Sequence, residues 1–125
     1  MMQSLLWIAV GGAAGAVSRF MAGYFMHSVY KGHFPAGTLL VNVIGSLCIG
    51  ILFVIITERL PSGEQWRNIA MVGFLGAFTT FSTFSLETVE LLEKGDYSLA
   101  LAYIGSSLLL CLAATWGGLS LARHW

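Results

Sequence analysis

The sequence predicts an all-α membrane protein: four transmembrane helices, with a break in the third. Three observations carry this expectation. Of the 125 residues, 57% are hydrophobic and only 10% charged, whereas soluble domains run at about 45–50% apolar and about 25% charged. The mean hydropathy is +0.80, and a water-soluble fold of this size would bury only about two thirds of its surface, leaving nowhere for so much apolar material. The apolar residues also gather into four runs, each near the roughly 20 residues that cross the hydrocarbon core of a bilayer.

The runs cover residues 5–26, 38–57, 69–92 and 99–122, within one domain over 1–125. Short polar connections separate them at 27–37, 58–68 and 93–98, marked by Pro35, by Pro61 with Gly63, and by Gly95 with Asp96. So little chain lies outside the spans that an enzyme with a soluble catalytic head is not expected. The first run is too long for a signal-peptide core and no basic segment precedes it. Six Lys and Arg balance six Asp and Glu, which excludes nucleic acid as a partner, since phosphate binding rests on a basic excess. Cys48 and Cys111 both fall inside apolar runs and read as small core residues rather than as a disulfide or metal pair.

Charge leaves the orientation open. With the N-terminus inside, Arg59, Arg67 and Arg123 lie inside and Lys31 and Lys94 outside, joined by Arg19 if it snorkels. The positive-inside rule needs a clearer asymmetry than this. A weakly biased single orientation and insertion in both orientations, paired with an inverted copy, both fit. Four short helices do not readily enclose a pore alone, so an oligomer is expected. Gly11, Gly12, Gly15 and Gly23 in the first span, and Gly45 and Gly50 in the second, offer close helix approach.

Polar residues inside the runs are the functional candidates. Thr38, Asn42 and Ser46 recur four residues apart in the second span and so share one face. Asn42 suits either an interhelical hydrogen bond or a donor to a passing anion. In the fourth span Tyr103, Ser107, Cys111 and Thr115 form a longer file of hydroxyls and a thiol. Without Asp, Glu or His, that file fits hydrogen bonding better than proton relay. The third span packs glycines, phenylalanines and threonines between Gly73 and Ser85, all mediocre helix formers. A break is expected around residues 76–80. Such a break frees carbonyls able to coordinate a hard cation such as Na⁺. Phe81 and Phe84, three apart, put two rings on one face, and ring edges carry positive potential that can face an anion. Glu87 is deep enough to need a partner, and Arg19 is the single cation within a span, suited to drawing anions into a vestibule or to snorkelling.

Three segments together resemble the small bacterial fluoride channels of the Fluc (CrcB) family. They are Gly11-Gly12-Ala13-Ala14-Gly15-Ala16-Val17-Ser18-Arg19, Gly37-Thr38-Leu39-Leu40-Val41-Asn42, and Gly76-Ala77-Phe78-Thr79-Thr80-Phe81-Ser82-Thr83-Phe84-Ser85. The third is the most specific. The resemblance implies an antiparallel, dual-topology homodimer in the bacterial inner membrane, with two fluoride pores and a structural sodium ion at its centre. It implies that Asn42, Phe81 and Phe84 line the fluoride path. Ser82, Thr83 and the fourth-span track of Tyr103, Ser107 and Thr115 would extend that path, and the carbonyls of Gly76 and Thr79 would hold the sodium. Cys111 stands where members of the family often carry serine. A neutral path also suits the ion, because fixed charge would bind dehydrated fluoride too tightly to release it.

Two other readings compete. A proton-coupled exporter of the small multidrug type is equally short and antiparallel, but depends on a glutamate in its first span, where this chain offers only Arg19. A non-conducting assembly subunit would need none of the polar files.

Overall fold

Backbone N–H and C=O groups left unpaired inside a bilayer are costly, and the chain pairs most of them within helices. The computed structural model describes all residues, 1–125. It contains no strand and four helices long and apolar enough to cross a membrane: α1 (Met2–Val29), α2 (Ala36–Arg59), α3 (Glu64–Glu93) and α4 (Tyr97–Arg123). Each outruns its apolar segment by a few residues, because helical bonding continues into the headgroup region after the hydrophobic run has ended.

The ends have local causes. α1 stops at Tyr30, which is extended at φ −122° and ψ 118°, and α2 begins directly after Pro35, whose ring fixes a φ suited to a helix start. Between α3 and α4 the chain reverses at Gly95, whose φ of +81° side chains rarely tolerate. There the Asp96 N–H reaches the Leu91 carbonyl at 2.9 Å and the Gly95 N–H reaches that of Leu92 at 3.1 Å, the paired bonds of a glycine-terminated helix end. At the opposite face of the membrane α2 and α4 finish side by side. Arg59 donates to the Ala122 carbonyl, and Arg123 pairs with Glu58 at 2.8 Å, so cations sit at the negative ends of both helices.

α1 lies along the first half of α3, and α2 along α4, with the second half of α3 also against α4. Apolar side chains gain nothing by leaving lipid for protein, so close backbone approach has to drive this packing. Gly11 and Gly15 lie against the Ile69 and Phe74 carbonyls, and Gly50 meets Gly118, with no room for a Cβ at any of these positions. Gly23 has open space around it instead. Large apolar side chains such as Phe20, Phe25, Leu109 and Trp116 face outward. In water these would be a liability, and in a bilayer they are ordinary solvation.

The break in α3 falls at two residues. The helix runs through Phe78; Thr79 (φ −87°, ψ 158°) and Thr80 (φ −153°, ψ 116°) are extended; and the helix resumes over Phe81–Glu93. Their β-branched side chains favour that geometry. Before the break, the turns over Arg67–Leu75 are widened to the π type, as are those ending α2 over Val54–Arg59.

Neighbouring glycines on α4 test the packing. A Cβ on Gly118 would strike the Leu47 carbonyl, whereas one on Gly117 meets nothing within 4 Å. Gly118→Ala should therefore lower thermal stability by about 1–3 kcal/mol, and Gly117→Ala should leave it unchanged or raise it by up to about 1 kcal/mol. Melting of the purified variants in detergent, followed by size-exclusion chromatography, reads the difference.

Candidate functional site

The two extended residues interrupt the helical ladder at membrane depth, where an unpaired polar group costs several kcal/mol. Asn42 on α2 meets both ends of Thr80. Its Nδ2 donates to the Thr80 carbonyl at 3.0 Å, and its Oδ1 accepts the Thr80 N–H at 2.8 Å. The fixed polarity of the backbone sets which end of the amide is oxygen, and a second amide N–H lies outside this pair. Thr80 Oγ1 then caps the second half of α3, accepting the Thr83 N–H at 3.1 Å, donating to Thr83 Oγ1 at 3.0 Å, and lying 3.2 Å from Ser82 Oγ. Gly45 lets the Thr79 methyl press against α2.

This latch diverts two N–H groups. In a regular helix Thr80 N–H would serve the Gly76 carbonyl and Thr83 N–H that of Thr79. Here they bond Asn42 and Thr80 side chains instead. The two carbonyls expected to ligate a cation are thus the ones whose helical partners have been taken. No group of three His, Cys, Asp or Glu side chains is present, and neutral carbonyl oxygens at the break suit a hard cation such as Na⁺.

Beside the latch lies a cavity of about 370 Å³. Asn42, Gly76, Thr79, Phe81, Phe84, Ser107 and Cys111 all line it, with no charged side chain among the lining residues. Ser107 is only 7% exposed, and its Oγ has no hydrogen-bond partner. Thr80 also borders a second cavity of about 280 Å³, where Arg19, Thr38 and Thr83 gather. Thr38 continues into a third of about 210 Å³, lined by His27, Phe34 and Glu87. Arg19 forms no ion pair, since the Arg123–Glu58 pair is the one in the chain.

An aromatic column runs between the first and third cavities. The Phe81 and Phe84 rings lie 5.3 Å apart, Phe84 meets Tyr103 at 5.0 Å and 63°, and Tyr103 meets Phe34 at 5.5 Å and 77°. Tyr103 is fully buried and donates its hydroxyl to Glu87 Oε1 at 3.0 Å, the partner that this carboxylate was expected to need. The two phenylalanines share a face as expected but not an environment: Phe84 is 8% exposed and Phe81 73%. Within one chain, then, Phe81 stands at an open edge of the larger cavity.

The fourth-span file divides. Ser107 and Cys111 face the larger cavity, while Thr115 donates to the Ser46 carbonyl at 3.0 Å and ties α4 to α2. Thr80 was not singled out in the sequence, although it supplies both the latch and the cap. The Thr80-x-x-Thr83 spacing at a helix start was its signal. Met71, also on the larger cavity, and Phe34 carried none.

Four spans, a helix broken and latched at mid-depth, and a charge-free cavity of hydroxyls and ring edges define a small multi-pass membrane protein of channel type. The chain belongs to the CrcB family, whose model, described as CrcB-like protein, Camphor Resistance (CrcB), matches residues 6–119. It is 47% identical to the fluoride-specific ion channel FluC of Magnetococcus marinus, over 97% of this chain and 98% of that protein. It is 44% identical to the FluC of a Coxiella burnetii strain over 98% of this chain and 99% of the other. The Hahella chejuensis FluC is 46% identical, over 95% of this chain and 94% of its own length.

The latch makes a stability prediction independent of transport. Asn42→Ala leaves the Thr80 N–H and carbonyl unpaired at membrane depth, and should cost about 2–4 kcal/mol. Thermal melting of wild type and variant in the same detergent gives the difference.

Proposed function

We propose that this chain forms a fluoride-specific channel. It is a channel protein rather than an enzyme, in the inner membrane of bacteria, and its relatives bear the name of fluoride-specific ion channels. The observation that carries the reading is the larger cavity: Asn42, Phe81, Phe84 and Ser107 line it, and no charged side chain does. Fluoride is small and holds its water strongly, so a path must replace that water with compact donors. A single fixed charge in a dry site would hold the ion too tightly, and conduction asks for several weak sites. The Ser107 hydroxyl, the spare N–H of Asn42 and the edges of Phe81 and Phe84 are such donors. Arg19, in the adjoining cavity with no carboxylate partner, raises the local anion concentration without standing in the path itself.

We infer further that the working unit is an antiparallel homodimer with two pores. The balanced Lys and Arg count supports this. So does the open edge at Phe81, which a second copy would close. Two such breaks brought together would double the pair of freed carbonyls. A sodium ion held by Gly76 and Thr79 of both copies would supply structural positive charge there. Ser82, Thr83, Thr38, Tyr103 and Glu87 belong to the path's flanks in this reading. Thr115 enters it through the α2–α4 contact that it holds.

The test is fluoride efflux from liposomes, measured by electrode. Wild type should release fluoride without a proton or sodium gradient. Phe81→Ile and Phe84→Ile should cut flux by tenfold or more while costing stability only about 1–3 kcal/mol. Ser107→Ala should cut flux with no loss of stability, because the hydroxyl it removes has no partner to leave stranded. Undiminished flux in all three folded variants would show that the path runs elsewhere.

A second measurement addresses the dimer and its ion. A cysteine introduced at Ser62 should label from both sides of the membrane, and replacing all Na⁺ by a larger cation should weaken the dimer or stop flux. One-sided labelling of an active protein, or full activity without the metal, contradicts the arrangement.

A further inference from the structure

Phe84 is fixed at both its ring and its backbone by residues that do not themselves line the larger cavity. On the ring side the aromatic column ends at Phe34. The Phe34 ring meets Tyr103 edge-on at 5.5 Å and 77°, and Tyr103 meets Phe84 at 5.0 Å and 63°. Tyr103 is fully buried, so in a close-packed interior its ring turns only if a neighbour gives way. Phe34 stands outside the spanning helices, in the connection before α2, yet its place is set. Pro35 (φ −77°, ψ 70°) and the bond from the Ala36 N–H to the Phe34 carbonyl at 2.8 Å form an inverse γ-turn, whose central φ the proline ring holds. Phe34 is thereby tied to the first residue of α2, and it packs against the buried cluster of Phe84, Leu91, Ala100 and Tyr103.

On the backbone side, the buried Thr88 donates its hydroxyl to the Phe84 carbonyl at 2.7 Å. A regular helix already pairs that carbonyl with the Thr88 N–H, so one residue supplies it with two donors. Such back-bonding tilts the carbonyl and bends the helix. The bend falls in the turns just after α3 restarts at Phe81, which aim the Phe84 side chain. That aim has consequences for an anion. A ring attracts one at its edge and repels it at its face, so a ring free to turn loses much of its value as a donor.

We infer that Phe34 and Thr88 are positioning residues for the anion path. Phe34 acts through Tyr103 on the Phe84 ring, and Thr88 acts through the Phe84 carbonyl. Together they hold that ring in the one placement from which it borders the larger cavity. Neither residue touches the ion. Their effect on transport rests on the reading of that cavity as a fluoride path, whereas the fixing of the ring does not.

The test pairs each removal with a conservative change in the full chain. Phe34→Leu removes the ring and Phe34→Tyr keeps it; Thr88→Val removes the hydroxyl at nearly unchanged shape and Thr88→Ser keeps it. In liposomes, Phe34→Leu and Thr88→Val should each cut fluoride efflux about tenfold and narrow the fluoride-to-chloride ratio, because a site loosened in its supports loses its geometry. Phe34→Tyr and Thr88→Ser should stay within about twofold of wild type. In a Phe84→Ile background both losses should vanish, as they must for residues that act through one ring. A merely structural contribution would lower flux by the same factor in both backgrounds. A readout independent of transport comes from para-fluorophenylalanine in place of Phe84. Its fluorine NMR resonance in detergent should shift or split in Phe34→Leu and Thr88→Val and stay in place in the two conservative variants. Size-exclusion chromatography confirms folding, and if one removal fails to fold the other carries the test. Wild-type flux and selectivity in the folded removals, or equal losses in the Phe84→Ile background, overturn the role. An unmoved resonance overturns the fixing of the ring. If wild type conducts no fluoride, the channel reading is what fails, and the resonance alone decides whether these residues hold Phe84.

Discussion

A peptide group left unpaired in hydrocarbon costs several kcal/mol, and the rest of this structure depends on how that cost is avoided at Thr80. The third helix cannot continue through Thr79 and Thr80, whose backbones are extended. One side chain, Asn42, replaces both lost helical bonds of Thr80. Because Asn42 stands on α2, this repair fixes α2 against the break. The contact of Gly45 with Thr79 and the bond from Thr115 to Ser46 then carry that placement into the break and across to α4.

The functional features follow from the same repair. Diverting the Thr80 and Thr83 N–H groups takes from the Gly76 and Thr79 carbonyls the donors that a regular helix would give them. Restarting the helix at Phe81 sets the first ring at the edge of the cavity and the second, one turn on, against Tyr103. The cavity lining is mostly apolar, and its few polar groups are hydroxyls and one amide, which like ring edges are each worth far less to an anion than a formal charge. At an effective dielectric of about 20, a unit charge 4 Å away would contribute about 4 kcal/mol, enough to trap the ion rather than pass it. Arg19 and Glu87 lie in the adjoining cavities and not in this one.

Much of this was legible in the sequence, and the remainder was hidden for definable reasons. Hydropathy locates the spans because bilayer thickness sets their length. The cluster of phenylalanine, glycine and threonine marks the break within two residues because propensity is a local property. Asn42 was visible as a buried amide, yet the choice between structural bond and anion donor depended on Thr80, 38 residues away. The geometry gives it both an occupied bond pair and a spare N–H. Phe81 and Phe84 look equivalent by spacing and differ ninefold in exposure (73% against 8%), because only α4 lies over the second. Gly73 and Gly118 resemble every other glycine in the chain, and their value as contact points exists only once a partner helix lies against them.

The central claim is that a neutral, latched cavity conducts fluoride by supplying weak donors in place of water. The most direct measurement compares fluoride with chloride efflux from the same proteoliposomes, driven by membrane voltage alone with no pH gradient. The account predicts fluoride release at least about a hundredfold faster than chloride, equivalent to about 2.7 kcal/mol of difference in barrier. Comparable rates for the two anions, or fluoride release that appears only when a proton gradient is imposed, would contradict it.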